Sequence, residues 1–287
     1  MDQIMIMGYT VIYSVALLTL ISLGLALIFG MMGVINFAHG EFLMLGGYAA
    51  VMASHAGMNI WLAMLVVAPL SVAVIGALAE RILIRRLYGN VVMTMLATWG
   101  LSLFLIGLIT TIFGTATTGV SAPLGKISFG IYSIGVYQLA IVGLTVSMVL
   151  GLLYVLHRTT FGLVMRATMR NRETAASIGI DPRRTYAMTF MLGAAISGLA
   201  GGLLAPLSGV IPTIGAAYIA RAFVTVVAGG PALVSGVVAT AGLLGPIEAV
   251  LSYLASPVVG QASLLLAAIV LLRVFPKGLS ARWTGSE

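Results

Sequence analysis

Cysteine is absent from this 287-residue chain, which excludes disulfides, thiol catalysis and thiolate metal sites. Charge is nearly as scarce: 7% of the residues are charged, against about 25% in a soluble domain, too few to cover a water-facing surface. The motifs that make an enzyme self-sufficient are missing as well. No His-Glu-x-x-His sets two imidazoles on one helix face beside a base, no Gly-x-Ser-x-Gly elbow presents a serine, and no Gly-x-x-x-x-Gly-Lys-Ser/Thr loop cradles a phosphate. No catalytic or metal-ligating residue is therefore assigned, and no ATPase is expected on this chain.

What the sequence does contain is apolar length. Hydrophobic residues make up 61% of it, with a mean hydropathy of +1.16. A spanning helix needs about 20 mainly apolar residues, which places spans near 7–30, 60–79, 91–113, 137–157, 187–208, 232–254 and 258–275. Residues 40–56 are apolar but short, and 216–230 are shorter still, interrupted by Arg221 and ended by Gly229-Gly230-Pro231. Irregular backbone at membrane depth survives only when buried in protein or facing a water-filled cavity, so these two segments are where a pathway would lie. The expectation is an all-α polytopic membrane protein, a single transmembrane domain over 1–287 with about eight (roughly seven to ten) transmembrane or re-entrant helices. The first apolar run, Met5 to Met32, is about twice as long as a signal-peptide core and reads as a retained helix.

The net charge of +7 reflects topology rather than nucleic-acid binding, because the basic residues cluster between apolar runs. Arg81, Arg85 and Arg86 follow one span, further basic residues lie between His157 and Arg184, and Arg273, Lys277 and Arg282 come near the end of the sequence. By the positive-inside rule these three regions are cytoplasmic. The loop 114–136, with Lys126 as its one charge, belongs outside, and so does the amino terminus provided that 40–56 crosses fully. Gly24 to Gly47 and Ala222 to Gly245 are both glycine-rich, interrupted apolar stretches. They fit two related halves of a transporter, or simply close helix packing through small residues.

Two polar segments stand out. Between Gly30 and Glu41, glycines accompany Asn36, His39 and Glu41. Glycine lets the chain leave helical geometry, and the three polar side chains either bond the backbone groups such a break leaves unpaired or line a pathway, since ionisable residues near spans are costly and usually face a cavity. Gly30 and Gly33 are then hinge positions. Tyr218 and Arg221 are the corresponding candidates in the second half. The other segment is the loop 158–186, in which Glu173 to Ile178 reads as a short helix stopped by Gly179 and by the turn signal Asp181-Pro182. It is either a basic loop touching anionic lipid or a docking helix whose small side chains allow close approach to a partner, oriented by Arg170, Arg172 and Glu173.

The run Gly33-Val34-Ile35-Asn36-Phe37-Ala38-His39-Gly40-Glu41-Phe42 resembles the signature of the permease subunits of ABC importers for branched-chain amino acids, urea and short-chain amides. Ala97-Thr98-Trp99-Gly100-Leu101-Ser102, the segment Asn171 to Ile180 and Pro276-Lys277-Gly278-Leu279 are similar to the same family, so the resemblance extends over nearly the whole chain. It implies the ABC importer permease fold and a subunit of the bacterial inner membrane, with its amino terminus periplasmic and carboxyl terminus cytoplasmic. The implied partners are a second homologous permease, two cytoplasmic ATPase subunits that bind ATP and Mg, a periplasmic solute-binding protein and the lipid bilayer. The resemblance also implies that Arg170, Asn171, Arg172, Glu173, Ala175, Ala176 and Gly179 form the coupling helix seated in an ATPase cleft, although Thr174 interrupts the family's Glu-Ala-Ala pattern.

For the solute, Ala97 to Gly100, Asn171 to Glu173 and Pro212 to Ile219 look closer to the urea and amide branch. Arg221 and Ala216 depart from it, standing near where urea-type relatives carry an acid and a glutamine. The rival from another class is an ion-coupled secondary transporter with Glu41 or Glu248 as its coupling carboxylate.

Overall fold

The computed structural model describes residues 2–129 and 132–282. Along the chain run α1 (Asp2–Met32), α2 (His39–His55), α3 (Ile60–Arg86) and α4 (Val91–Phe113), then a hairpin of β1 (Lys126–Phe129) and β2 (Tyr132–Gly135). After it come α5 (Val136–Arg158), α6 (Thr160–Arg170), α7 (Arg172–Ser177), α8 (Pro182–Ser208), α9 (Ile214–Gly229), α10 (Leu233–Leu254) and α11 (Pro257–Val274). Among the described residues seven helices are long and apolar enough to cross a membrane, namely α1, α3, α4, α5, α8, α10 and α11. These are the seven spans expected from hydropathy.

Three local expectations need correction. The segments 40–56 and 216–230 are not irregular: each lies almost wholly in a continuous helix, α2 or α9, and the irregular backbone falls in the connectors. Asp181-Pro182 does not end the preceding helix but begins α8, because the Asp181 carboxylate accepts from the Arg183 and Arg184 amides at 2.9 and 3.4 Å and proline is tolerated in a first helical turn. The loop 114–136 holds the antiparallel hairpin, with Ile127 opposite Ile134. Strands this short carry too little alternation to be read beside twenty-residue apolar runs.

Contacts divide the chain into two compact units, one of residues 23–121 and 151–219, the other of 1–22, 122–150 and 220–287. In the first, α2 is packed between α3 and α8. An added Cβ at Gly46 would meet Gly198, and one at Gly201 would meet the Leu43 carbonyl oxygen at 1.8 Å, so the backbones touch where only glycine fits. Lipid offers no hydrophobic drive to bring apolar helices together, and such close contact is what holds them. Around this seam Phe42 meets Phe190 edge to face at 5.9 Å, and Met44, Val51 and Val72 are fully buried. On α4, Leu96, Trp99, Leu103 and Phe104 are exposed, as a lipid-facing surface requires.

In the second unit α10 and α11 are antiparallel neighbours, with Gly260 set against Ser252 and the Glu248 carbonyl. Ser280, just after α11, donates to the Gly229 carbonyl at 2.6 Å and accepts from the Ala232 amide at 3.0 Å. One hydroxyl thus satisfies both sides of the Gly229-Gly230-Pro231 break.

Candidate functional site

The polar site is the break between α1 and α2. The last bond of α1 runs from the Gly33 amide to the Phe29 carbonyl at 2.9 Å, and Gly33 turns the chain out of the helix with φ +63°, a conformation that costs glycine nothing. Gly30 remains inside α1, so the turn is made three residues later. Residues 34–38 then cross without helical bonding, and α2 starts at His39 behind an alanine that offers no side-chain cap. Asn36 takes over that role: its Oδ1 accepts from the Ala38 amide at 3.1 Å and its carbonyl from the His39 amide at 3.3 Å.

Neighbouring helices complete the bonding. The Phe37 amide donates to Thr98 Oγ1 at 3.1 Å, and the Thr98 hydrogen is within reach of the Thr94 and Ile35 carbonyls at 2.9 and 3.3 Å. His39 is fully buried, with Nδ1 at 3.2 Å from Ser197 Oγ. Ser197 also donates to the Gly193 carbonyl at 2.8 Å, so its oxygen can accept from His39 in the tautomer that carries hydrogen on Nδ1. Glu41, near Ser102 of α4, sits in the first turn of α2, where the helix dipole favours a carboxylate. Thr98, Ser102 and Ser197 were not singled out from the sequence as chemical. The first two lie in the quoted motif 97–102, but only the fold shows that they serve the break.

After this bonding two polar atoms are left over: Asn36 Nδ2 and Glu41 Oε2 are buried without a partner. Their residues are 1% and 4% exposed, so neither is open to solvent. The break touches open space through Phe37, which with Val92, Met95, Leu96 and Trp99 lines an apolar cleft of about 390 Å³.

The model of the family described as "Branched-chain amino acid transport system / permease component" matches residues 8–275, which includes the whole break and every helix that bonds it. The chain belongs to this permease family. It is 30% identical to the probable branched-chain amino acid transport permease LivH of Methanocaldococcus jannaschii, over 96% of this chain and 92% of that one. It is 31% identical to the high-affinity branched-chain amino acid permease LivH of Escherichia coli K12, over 92% and 91%, and 31% identical to BraD of Pseudomonas aeruginosa, over 80% of each. Among solved structures, PsaBC from Streptococcus pneumoniae in complex with Fab aligns over 92% of this chain and 89% of its own at 12% identity and a TM-score of 0.47, which adds nothing to the assignment.

The permease's other candidate residues divide between support and exposure. In the loop 158–186, Asn171 caps α7: its Oδ1 accepts from the Glu173 and Thr174 amides at 3.0 and 2.9 Å. Gly179, with φ +88°, ends the turn by donating to the Ala176 carbonyl at 3.0 Å. Ala175 is buried and anchors the helix, while Arg170, Arg172, Glu173 and Ala176 are exposed and Ile178 is 70% exposed. The exposed side is therefore charged residues around Ala176 and Ile178, not the Ala175-Ala176 pair. In the second unit, Arg221 of α9 forms an ion pair with Glu248 of α10, Nη1 to Oε1 3.0 Å, at side-chain exposures of 12% and 9%. Tyr218 lies with Leu43, Gly47, Gly201 and Val210 around a small cavity of the first unit.

A further polar cluster went unread in the sequence. Tyr88, between α3 and α4, donates to Glu80 of α3, and its ring meets that of Tyr186 on α8 edge to face at 5.1 Å. The Arg172 guanidinium lies 6.0 Å from the centre of the Tyr186 ring. Burial first, then the hydrogen bond to Glu80 and its charge, hold the Tyr88 phenol well above its ordinary pKa, so it stays a donor.

Proposed function

We propose that this permease moves branched-chain amino acids inward across a bacterial inner membrane. Energy comes from ATP, bound with Mg on two separate cytoplasmic subunits, and the solute is handed over by a periplasmic binding protein. A second homologous permease completes the pathway. The chain is oriented with its amino terminus periplasmic and its carboxyl terminus and the loop 158–186 cytoplasmic. The relatives named above are branched-chain amino acid permeases by description, which supports that cargo; no urea or amide permease is among them, and the lean toward that branch rested on short motifs alone.

The observation that carries the mechanism is the pair of orphaned polar atoms, Asn36 Nδ2 and Glu41 Oε2, at a glycine-turned break between helices. A buried polar group without a partner costs about 1–3 kcal/mol, so the closed break holds two groups that gain by opening. A passing ammonium and carboxylate would find an acceptor in Glu41 and a donor in Asn36. Alternating access then consists of opening this break when α7, seated against an ATPase subunit, is displaced. In the second half, Tyr218 and Arg221 are the candidate pathway residues, the charge of Arg221 being offset by Glu248.

The test is uptake by the permease co-reconstituted with two ATPase subunits, a companion permease and a solute-binding protein. Leucine, isoleucine and valine are expected to enter only with ATP, while urea and acetamide are excluded. Asn36→Ala and Glu41→Gln are expected to lower uptake at unchanged assembly. Full uptake in both variants, or uptake by this chain alone on a proton or sodium gradient, would sink the reading.

A further inference from the structure

The cluster around Glu80 has no place in the pathway just described, yet it begins on the helix proposed to meet the ATPase. Arg172 is the first residue of α7. From it the contacts run to the Tyr186 ring on α8, then to Tyr88, then to Glu80 inside α3. Glu80 is 2% exposed, a carboxylate sunk into an apolar span where such groups are expensive and mark function. Among the described residues no arginine or lysine lies within ion-pair distance of it, although Arg81, Arg85 and Arg86 are close in sequence and exposed. Its identified hydrogen-bond donor is a neutral phenol. Packing alone would be served by a leucine at this position, without burying a charge.

We propose that Tyr88 and Tyr186 are positioning residues that connect the docking helix α7 to span α3 through Glu80, so that displacement of α7 by an ATPase subunit is transmitted to the α2–α3–α8 core. This rests on the importer reading above. A hydrogen bond from phenol to carboxylate is directional and is either made or broken, unlike a greasy contact that slides. Arg172 over the Tyr186 ring is a cation–π contact that holds the two together while leaving the guanidinium free at the surface. Moving α7 therefore pulls on α8 through Tyr186 and on α3 through Tyr88. Because α3 and α8 both pack against α2, their shift bears on the helix whose first turn carries His39 and Glu41.

The assay uses the reconstituted assembly and reads two quantities, leucine taken up and ATP hydrolysed. Tyr88→Phe keeps the ring and removes the donor. Uptake per ATP is expected to fall by about fivefold or more, the lower bound of a typical coupling between sites, with assembly retained. Glu80→Gln keeps an acceptor for the phenol and is expected to keep the ratio. The double variant Tyr88→Phe with Glu80→Leu removes the buried charge together with its donor, so thermal stability is expected to return to the wild-type value while the ratio stays low. Recovery of the ratio in the double variant, or an unchanged ratio in Tyr88→Phe, would overturn the proposal, since the cluster would then serve stability alone. Absence of ATP-driven leucine uptake in the wild-type assembly would overturn the importer reading itself.

Discussion

Replacing Gly201 with alanine puts a methyl group where the α2 backbone already lies. The new Cβ would stand 1.8 Å from the Leu43 carbonyl oxygen, whereas ordinary contact begins at 3.4 Å, so α2 and α8 must part by about 1.6 Å there. The obstacle is a main-chain carbonyl inside a helix and cannot rotate away. Such a gap forfeits at least half of the ~0.1–0.2 kcal/mol in each atom pair, and for a seam with about as many pairs as one buried leucine makes, ~40–60, the loss is roughly 2–6 kcal/mol. No hydrophobic effect offsets it, because lipid is as apolar as the seam. Gly107→Ala on α4 is the control, since nothing lies within 4 Å of its added Cβ and alanine is the better helix former. Thermal midpoints of the two purified variants in detergent, followed by size-exclusion chromatography, are expected to separate widely, with Gly107→Ala at or above wild type. Equal midpoints would refute the claim that glycine contact holds this core.

Two further outcomes follow from the hydrogen bonds. Thr98→Val leaves the Phe37 amide without its acceptor and is expected to cost about 1–3 kcal/mol, whereas Thr98→Ser retains the bond; the comparison of their denaturation midpoints checks it. Arg221→Met strands the Glu248 carboxylate and is expected to cost about 3–5 kcal/mol, most of it recovered in the double variant with Glu248→Leu. A double-mutant cycle on purified protein measures this directly, and a single variant as stable as wild type would show that the pair is not energetically closed.

Reading along the chain found the seven spans, because twenty apolar residues in a row have few other uses. It also found the break at 30–41, since glycines and three polar side chains between two apolar runs disrupt a helix locally. A short helix over 173–178 was legible from Gly179 after it, whereas Asn171 as its cap came only from the structure. Other features were not legible. Thr98, Ser102 and Ser197 look like ordinary small residues in apolar helices, and their hydroxyls matter only because α4 and α8 carry them to groups about 60 to 160 residues away in the chain. Glu80 and Tyr88, eight residues apart, gave no pattern until Tyr186 and Arg172 arrived from two other helices.

The sequence by itself determined that this chain is a multi-pass helical permease, where its spans run and where one of them breaks, because hydropathy, glycine and capping act over a few residues. Only the tertiary structure decided that Ala175 is buried while Ile178 is exposed, that Arg221 is matched by Glu248, and that Asn36 and Glu41 each keep one atom unpaired. Those outcomes depend on which backbone approaches which, and in a membrane that approach is governed by close contact at glycine faces.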